Sequence, residues 1–129
     1  MRKGDKFDLD FIVDENICSG FINLFKDNNP LHTDIEFAQS KGFQSKVVHG
    51  NILGGFISYF IGEGLPLKNV IIHSQEIKYY APVFLNDCLA FTAVIIDIFE
   101  SVGVVIFDFL FCNQSNKRVA KGTIQIGII

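Results

Sequence analysis

The sequence predicts an α+β fold in which a curved antiparallel sheet wraps around one buried helix. Three observations predict it: an opening segment that alternates apolar and charged residues, a glycine-bounded helical segment apolar on more than one face, and four long β-branched, Phe-rich runs after it. A helix apolar on several faces has to be enclosed, and strands arriving in one block supply the enclosure.

From Lys6 to Val13, the residues Phe7, Leu9, Phe11 and Val13 alternate with Lys6, Asp8 and Asp10, the period of a half-buried strand. Asp14 is placed to cap a helix in which Ile17, Phe21, Leu24 and Phe25, spaced by 4, 3 and 1, press one face inward. Asn28-Asn29-Pro30 ends that helix, because the residue before a proline is pushed out of the α region. Thr33-Asp34-Ile35-Glu36 has capping-box spacing with Thr33 as the cap, and predicts a short helix stopping at Gly42. Between Gly50 and Gly62, Ile52, Leu53, Phe56, Ile57, Phe60 and Ile61 occupy more than one helical face, predicting a helix buried nearly all round. Strands are predicted near 68–80, 88–99, 102–112 and 118–128, with turns at Asn86-Asp87, Ser101 to Gly103 and Asn113 to Asn116. An opening strand, one buried helix and four later strands make a layout of the hot-dog type.

The 129 residues contain no repeat, low-complexity tract or Pro/Ser/Gly linker, so one domain over 1–129 is expected. Hydrophobic residues make up 49% of the chain, including 14 Phe. Charged residues make up 19%, below the roughly 25% of an average soluble domain. A domain this small cannot enclose so much apolar surface, which points to a homodimer. Eleven Lys and Arg against fourteen Asp and Glu leave a scattered net charge of −3, so nucleic acid is not an expected partner. Cys18, Cys88 and Cys112 lie in apolar stretches without metal-ligand spacing and read as buried, reduced thiols in the cytoplasm. The N-terminus lacks the apolar core of a signal peptide, and Asp97, Glu100 and Asp108 interrupt the most hydrophobic stretch, so no membrane association is expected.

Asp27 lies five residues before His32, with Asn29-Pro30 between them. A turn forced by Pro30 can fold the segment so that carboxylate and imidazole converge as a general acid/base pair, each able to hold or release a proton near neutral pH where its environment tunes it. The same residues also read as an ordinary polar turn, with Asp27 bonding a local amide.

The stretch Phe25-Lys26-Asp27-Asn28-Asn29-Pro30-Leu31-His32, followed by Ala38, Phe43 and Val48-His49-Gly50, resembles the signature of the MaoC-like dehydratases, the family of the R-specific 2-enoyl-CoA hydratases. The likeness continues through Ile61-Gly62-Glu63-Gly64-Leu65-Pro66, Gln75, Tyr80-Ala81-Pro82-Val83-Phe84 and Asp87. It implies that Asp27 and His32 are catalytic and hold the water added across a 2,3 double bond. It also implies that Gly50, at the start of the central helix, offers its N–H to the thioester oxygen, a task suited to a helix N-terminus. Ser58 matches a serine that supports the pair, or is a small residue bonding back to its own helix. Asn29 either bonds in the pocket or only shapes the turn. His49 is read as a supporting or structural residue, and His73 is given no role.

The resemblance implies a reversible hydration of a 2-enoyl thioester, or dehydration of an (R)-3-hydroxyacyl thioester, of the kind used in fatty acid metabolism. Its substrate is carried on CoA or an acyl carrier protein, with neither metal nor redox cofactor. Two alternatives stay open: a hot-dog thioesterase, and a non-catalytic acyl-binding subunit of the same fold. The chain departs from the family pattern in having Phe25-Lys26 for Ser-Gly, Asn51 where Met is common, and Asn86 for Gly. An inward Lys26 would weaken Asp27 as a base, and an outward one is expected.

Overall fold

The computed structural model describes residues 1–129, with β1 (Lys6–Ile12), α1 (Glu15–Phe25), α2 (Pro30–Thr33), α3 (Ile35–Ser40), α4 (Ile52–Tyr59), β2 (Val70–Tyr79), β3 (Cys88–Phe99), β4 (Val104–Cys112) and β5 (Arg118–Ile128) in chain order. The five strands form one antiparallel sheet in the order β1-β3-β4-β5-β2, so β1 and β2 are its edges. Every second residue of the central strands turns inward. Phe91, Ala93 and Ile95 of β3, Phe107, Phe109 and Phe111 of β4, and Ile124 and Ile126 of β5 pack against Leu53, Phe56 and Ile57 of α4 and Phe60 just after it. The Phe60 ring lies 5.0 Å from Phe91 and 5.4 Å from Phe107, and Phe11 stacks on Phe56 at 4.3 Å. Each such fully buried Phe stabilises the fold by about 1.5–3 kcal/mol.

The predicted strands are all present, and Asp14 caps α1 by accepting a hydrogen bond from the Ile17 N–H at 3.0 Å. Four local expectations are corrected. First, α1 ends at Phe25, before the Pro30 segment, because Lys26 adopts the left-handed conformation (φ 62°) and closes the helix with its N–H on the Ile22 carbonyl. Second, the cap of α3 is Asp34: its carboxylate accepts from the Glu36 and Phe37 N–H groups, while Thr33 is still helical at the end of α2. Third, α4 is buried on one side only. Asn51, Gly55, Ser58 and Tyr59 form an exposed face, and the helix widens into a π turn over Phe60–Gly64 whose carbonyls at Gly62 and Glu63 accept from Lys68 Nζ. Fourth, Cys88 is exposed, and Cys18 and Cys112 are partly buried; all three are free thiols. No helix is long and apolar enough to cross a membrane.

The turns carry the residues that tolerate positive φ: Asn86 (67°), Gly103 (64°) and Asn116 (57°). Lys26 is the exception, since a left-handed lysine costs about 1 kcal/mol that glycine avoids. Lys26→Gly is expected to raise the unfolding free energy by about 1 kcal/mol in a urea titration. A lowered midpoint would show that contacts of the lysine outweigh the backbone strain.

Candidate active site

The turn between α1 and α3 sets the geometry. Pro30 stands at the first position of α2, where its missing N–H is harmless, and the Asn29 side chain caps that helix by accepting from the Leu31 N–H at 2.9 Å. Asn29 therefore shapes the turn. Asp27 Oδ1 in turn accepts from the Asn29 N–H at 3.2 Å, and the Asp27 side chain remains 50% exposed. One turn of helix later, His32 Nδ1 donates to the Val47 carbonyl at 2.7 Å. That bond fixes the tautomer of neutral His32: Nδ1 carries the hydrogen and Nε2 keeps a lone pair.

The segment Val47–Gly50 runs beside α2, tied by the Val47 N–H to the Leu31 carbonyl at 3.0 Å and by the Val48 N–H to the Val83 carbonyl at 2.8 Å. It brings in His49, 4% exposed, whose ring stacks on His32 at 3.9 Å and meets Phe21 at 4.7 Å. His49 Nε2 donates to the Asp27 main-chain carbonyl at 2.9 Å and lies 3.9 Å from the Asp27 carboxylate. Candidate ligand atoms of Asp27, His32 and His49 thus lie within 4.8 Å of one another. His49 Nε2 and His32 Nδ1 are committed as donors to carbonyls, which leaves His32 Nε2 and the Asp27 carboxylate as the free groups of the cluster. Lys26 is exposed and makes no ion pair with Asp27.

Gly50 precedes α4. Neither its N–H nor that of Asn51 has a hydrogen-bond partner, and the Asn51 side chain leaves the helix start uncapped. The Gly50 carbonyl accepts from the Tyr79 hydroxyl at 3.1 Å, and a Cβ on Gly50 would stand 3.1 Å from the Tyr79 ring. Burial pushes the Tyr79 hydroxyl pKa up, so it stays a protonated donor. Burial also raises the Cys18 pKa, helped by Glu15 and Asp14, which favours the protonated thiol.

Two larger cavities border this cluster. An open apolar groove of about 770 Å³ runs between α1 and α4, lined by Phe21, Leu24, Phe25, Ile52 and Phe56 and reaching Asp27. A second, of about 370 Å³, holds His32, Gly50, Leu53, Tyr79 and Tyr80. The structure thus brings together Asp27, His32 and, through the second cavity, Gly50. Ser58 is exposed on α4 and lines neither cavity. Sequence reasoning gives His49 only a supporting role and does not find Tyr79. The adjacency of His49 to Gly50 is a local signal, whereas Tyr79 arrives through sheet pairing that no local pattern announces.

Residues 7–104 match the family model described as MaoC like domain. An (R)-specific enoyl-CoA hydratase of Rhodospirillum rubrum is 29% identical over 122 residues, covering 95% of this chain and 84% of that protein. One from Aeromonas caviae is 38% identical over 69 residues, 54% of this chain and 52% of that relative. The solved (R)-hydratase from A. caviae involved in PHA biosynthesis superposes with a TM-score of 0.91 at 25% identity, covering 100% of this chain and 98% of the other. Both curated relatives are named as hydratases, which are hydro-lyases, and the sheet and helix order match the expected hot-dog layout. The chain belongs to the MaoC-like domain family.

Proposed function

We propose that this protein is a hydro-lyase that reversibly adds water to a 2-enoyl thioester, giving an (R)-3-hydroxyacyl thioester carried on CoA or acyl carrier protein. The observation that carries the proposal is that Asp27 and His32 bring candidate proton-transfer atoms within 4.8 Å of each other, while His32, with Nε2 uncommitted, shares a cavity with Gly50, whose N–H has no partner. Water held between Asp27 and His32 loses a proton to the pair as its oxygen bonds to C3, and the pair delivers a proton to C2. The pair ends each turnover in the protonation state in which it began. As negative charge grows on the thioester oxygen, the Gly50 N–H at the mouth of α4 stabilises it. No redox cofactor or metal is required by these steps. Incubation with crotonyl-CoA, followed by loss of the conjugated double bond and by free thiol on the same sample, tests the reading. Double-bond loss without thiol supports it; thiol release would favour the thioesterase, and neither change the non-catalytic subunit.

The groove beside Asp27 suits the acyl tail, with Phe25 at its edge. Phe25 is 68% exposed, and its ring sits 4.9 Å from Phe21. Since a methylene in an apolar pocket is worth roughly 1–3 kcal/mol, the bulk of Phe25 favours short acyl groups of about four to six carbons. In a series of 2-enoyl-CoA substrates, turnover is expected to peak there, and Phe25→Ser to move the peak to longer chains. A wild-type maximum at long chains would show that the Phe25 ring does not limit the groove.

The exposed apolar residues Leu24 and Phe25 line the open groove, and the ten-residue edge strand β2 has one unpaired side. Both features support a homodimer whose sheets join at an edge and whose partner helps cover the site. Sedimentation is expected to give twice the chain mass; a monomer at micromolar concentration would count against it. A cytoplasmic location remains part of the proposal, on the three free thiols.

A further inference from the structure

Four cations, Lys78, Lys117, Arg118 and Lys121, gather at one end of β2 and β5 in a chain of net charge −3. None forms an ion pair. Lys78 stands directly opposite Lys121 across the ladder, a like-charge arrangement that destabilises a sheet by itself. The Arg118 guanidinium lies 4.4 Å from the Tyr80 ring centroid and the Lys121 ammonium 5.9 Å from the same centroid, so one aromatic ring gathers two cations. Glu76 and Asp108 share a shallow depression with Lys78 and Lys121 but pair with neither. The cluster presents unpaired positive charge that an anionic ligand would neutralise.

Its position indicates which anion. Tyr80 lines the same cavity as His32 and Gly50, whereas the apolar groove opens on the Asp27 side. A carrier-bound thioester also has two unlike ends, an apolar acyl chain and a polar pantetheine arm that terminates in phosphate. We propose that Arg118 and Lys121, held over Tyr80 with Lys78 beside them, form a phosphate-binding lip for the carrier end of the substrate, an assignment that rests on the thioester reading above. Arg118 supplies a planar fork suited to phosphate oxygens, and the lysines supply point charges. The chemistry shared by the two carriers is the phosphate ester at the end of the pantetheine arm.

The test compares kcat/KM on crotonyl-CoA, on crotonyl-acyl carrier protein and on the crotonyl thioester of N-acetylcysteamine, which has no phosphate. The variants are Arg118→Ala with Lys121→Ala, and, as a pair that keeps side-chain length, Arg118→Gln with Lys121→Gln. Both are expected to lower the ratio of kcat/KM on a carrier substrate to that on the truncated one by at least about ten-fold, mainly through KM. Loss on both carriers assigns the lip to the shared phosphate ester, loss on CoA alone to the nucleotide phosphates, and loss on the carrier protein alone to its phosphodiester. An unchanged ratio for both carriers, or an equal loss on all three substrates, overturns the lip. Wild-type inactivity on all three thioesters would instead refute the hydratase reading. The lip is then judged by calorimetric titration with free coenzyme A, where binding weakened at least about ten-fold in the double variants supports it and equal binding overturns it.

Discussion

Asp27→Asn is expected to lower kcat/KM for hydration of crotonyl-CoA by about 10²–10⁴-fold, the usual contribution of one general acid/base group. The substitution is nearly isosteric. The amide oxygen of the introduced side chain can still accept from the Asn29 N–H, and the main-chain carbonyl that receives His49 is untouched, so the turn should survive. What disappears is the ability to exchange a proton with the bound water. Steady-state rates read beside a circular dichroism spectrum separate the two possibilities. Near-full turnover with an unchanged spectrum would remove Asp27 from the chemistry.

His32→Gln is expected to cost hydration a similar factor, about 10²–10⁴-fold, for a complementary reason. The hydrogen bond from Nδ1 to the Val47 carbonyl leaves the Nε2 lone pair free to take and return a proton, and glutamine has no basic nitrogen to replace it. Because the ring also stacks on His49, this variant should lose about 1 kcal/mol of stability as well, visible in a urea midpoint. Combining it with Asp27→Asn should add little further loss, since two groups that act on one water fail together. Multiplicative losses in the double variant would mean that the residues act in separate steps.

Much of this was legible locally. The alternation of β1, the Asp14 cap and, from their β-branched, Phe-rich composition, the strands β3 and β4 were readable from local sequence. The Thr33 cap failed because capping-box spacing does not reveal which of two adjacent oxygen-bearing side chains meets the free amides; once Pro30 starts α2, Thr33 is already helical and Asp34 takes the task. The helix after Gly50 looked buried all round because its composition is apolar, yet Gly55 and Ser58 interrupt the apolar surface on its exposed face, and Gly55 there lines the groove. At the site, the short turn placed Asp27 and His32 together as the spacing suggested. His49 on the Asp27 carbonyl spans 22 residues, and Tyr79 on Gly50 spans 29; both depend on packing that no window of sequence contains.

The most direct measurement of the proposed chemistry follows the oxygen atom. Crotonyl-CoA is incubated with the wild-type protein in water labelled with the heavy oxygen isotope, and the products are read by mass spectrometry. If Asp27 and His32 direct water to C3, the label appears as a hydroxyl on an intact 3-hydroxybutyryl-CoA, and the Asp27→Asn sample shows almost none. Label found instead in a free carboxylate, or an unlabelled thioester recovered whole, would contradict the assignment of this site to hydration.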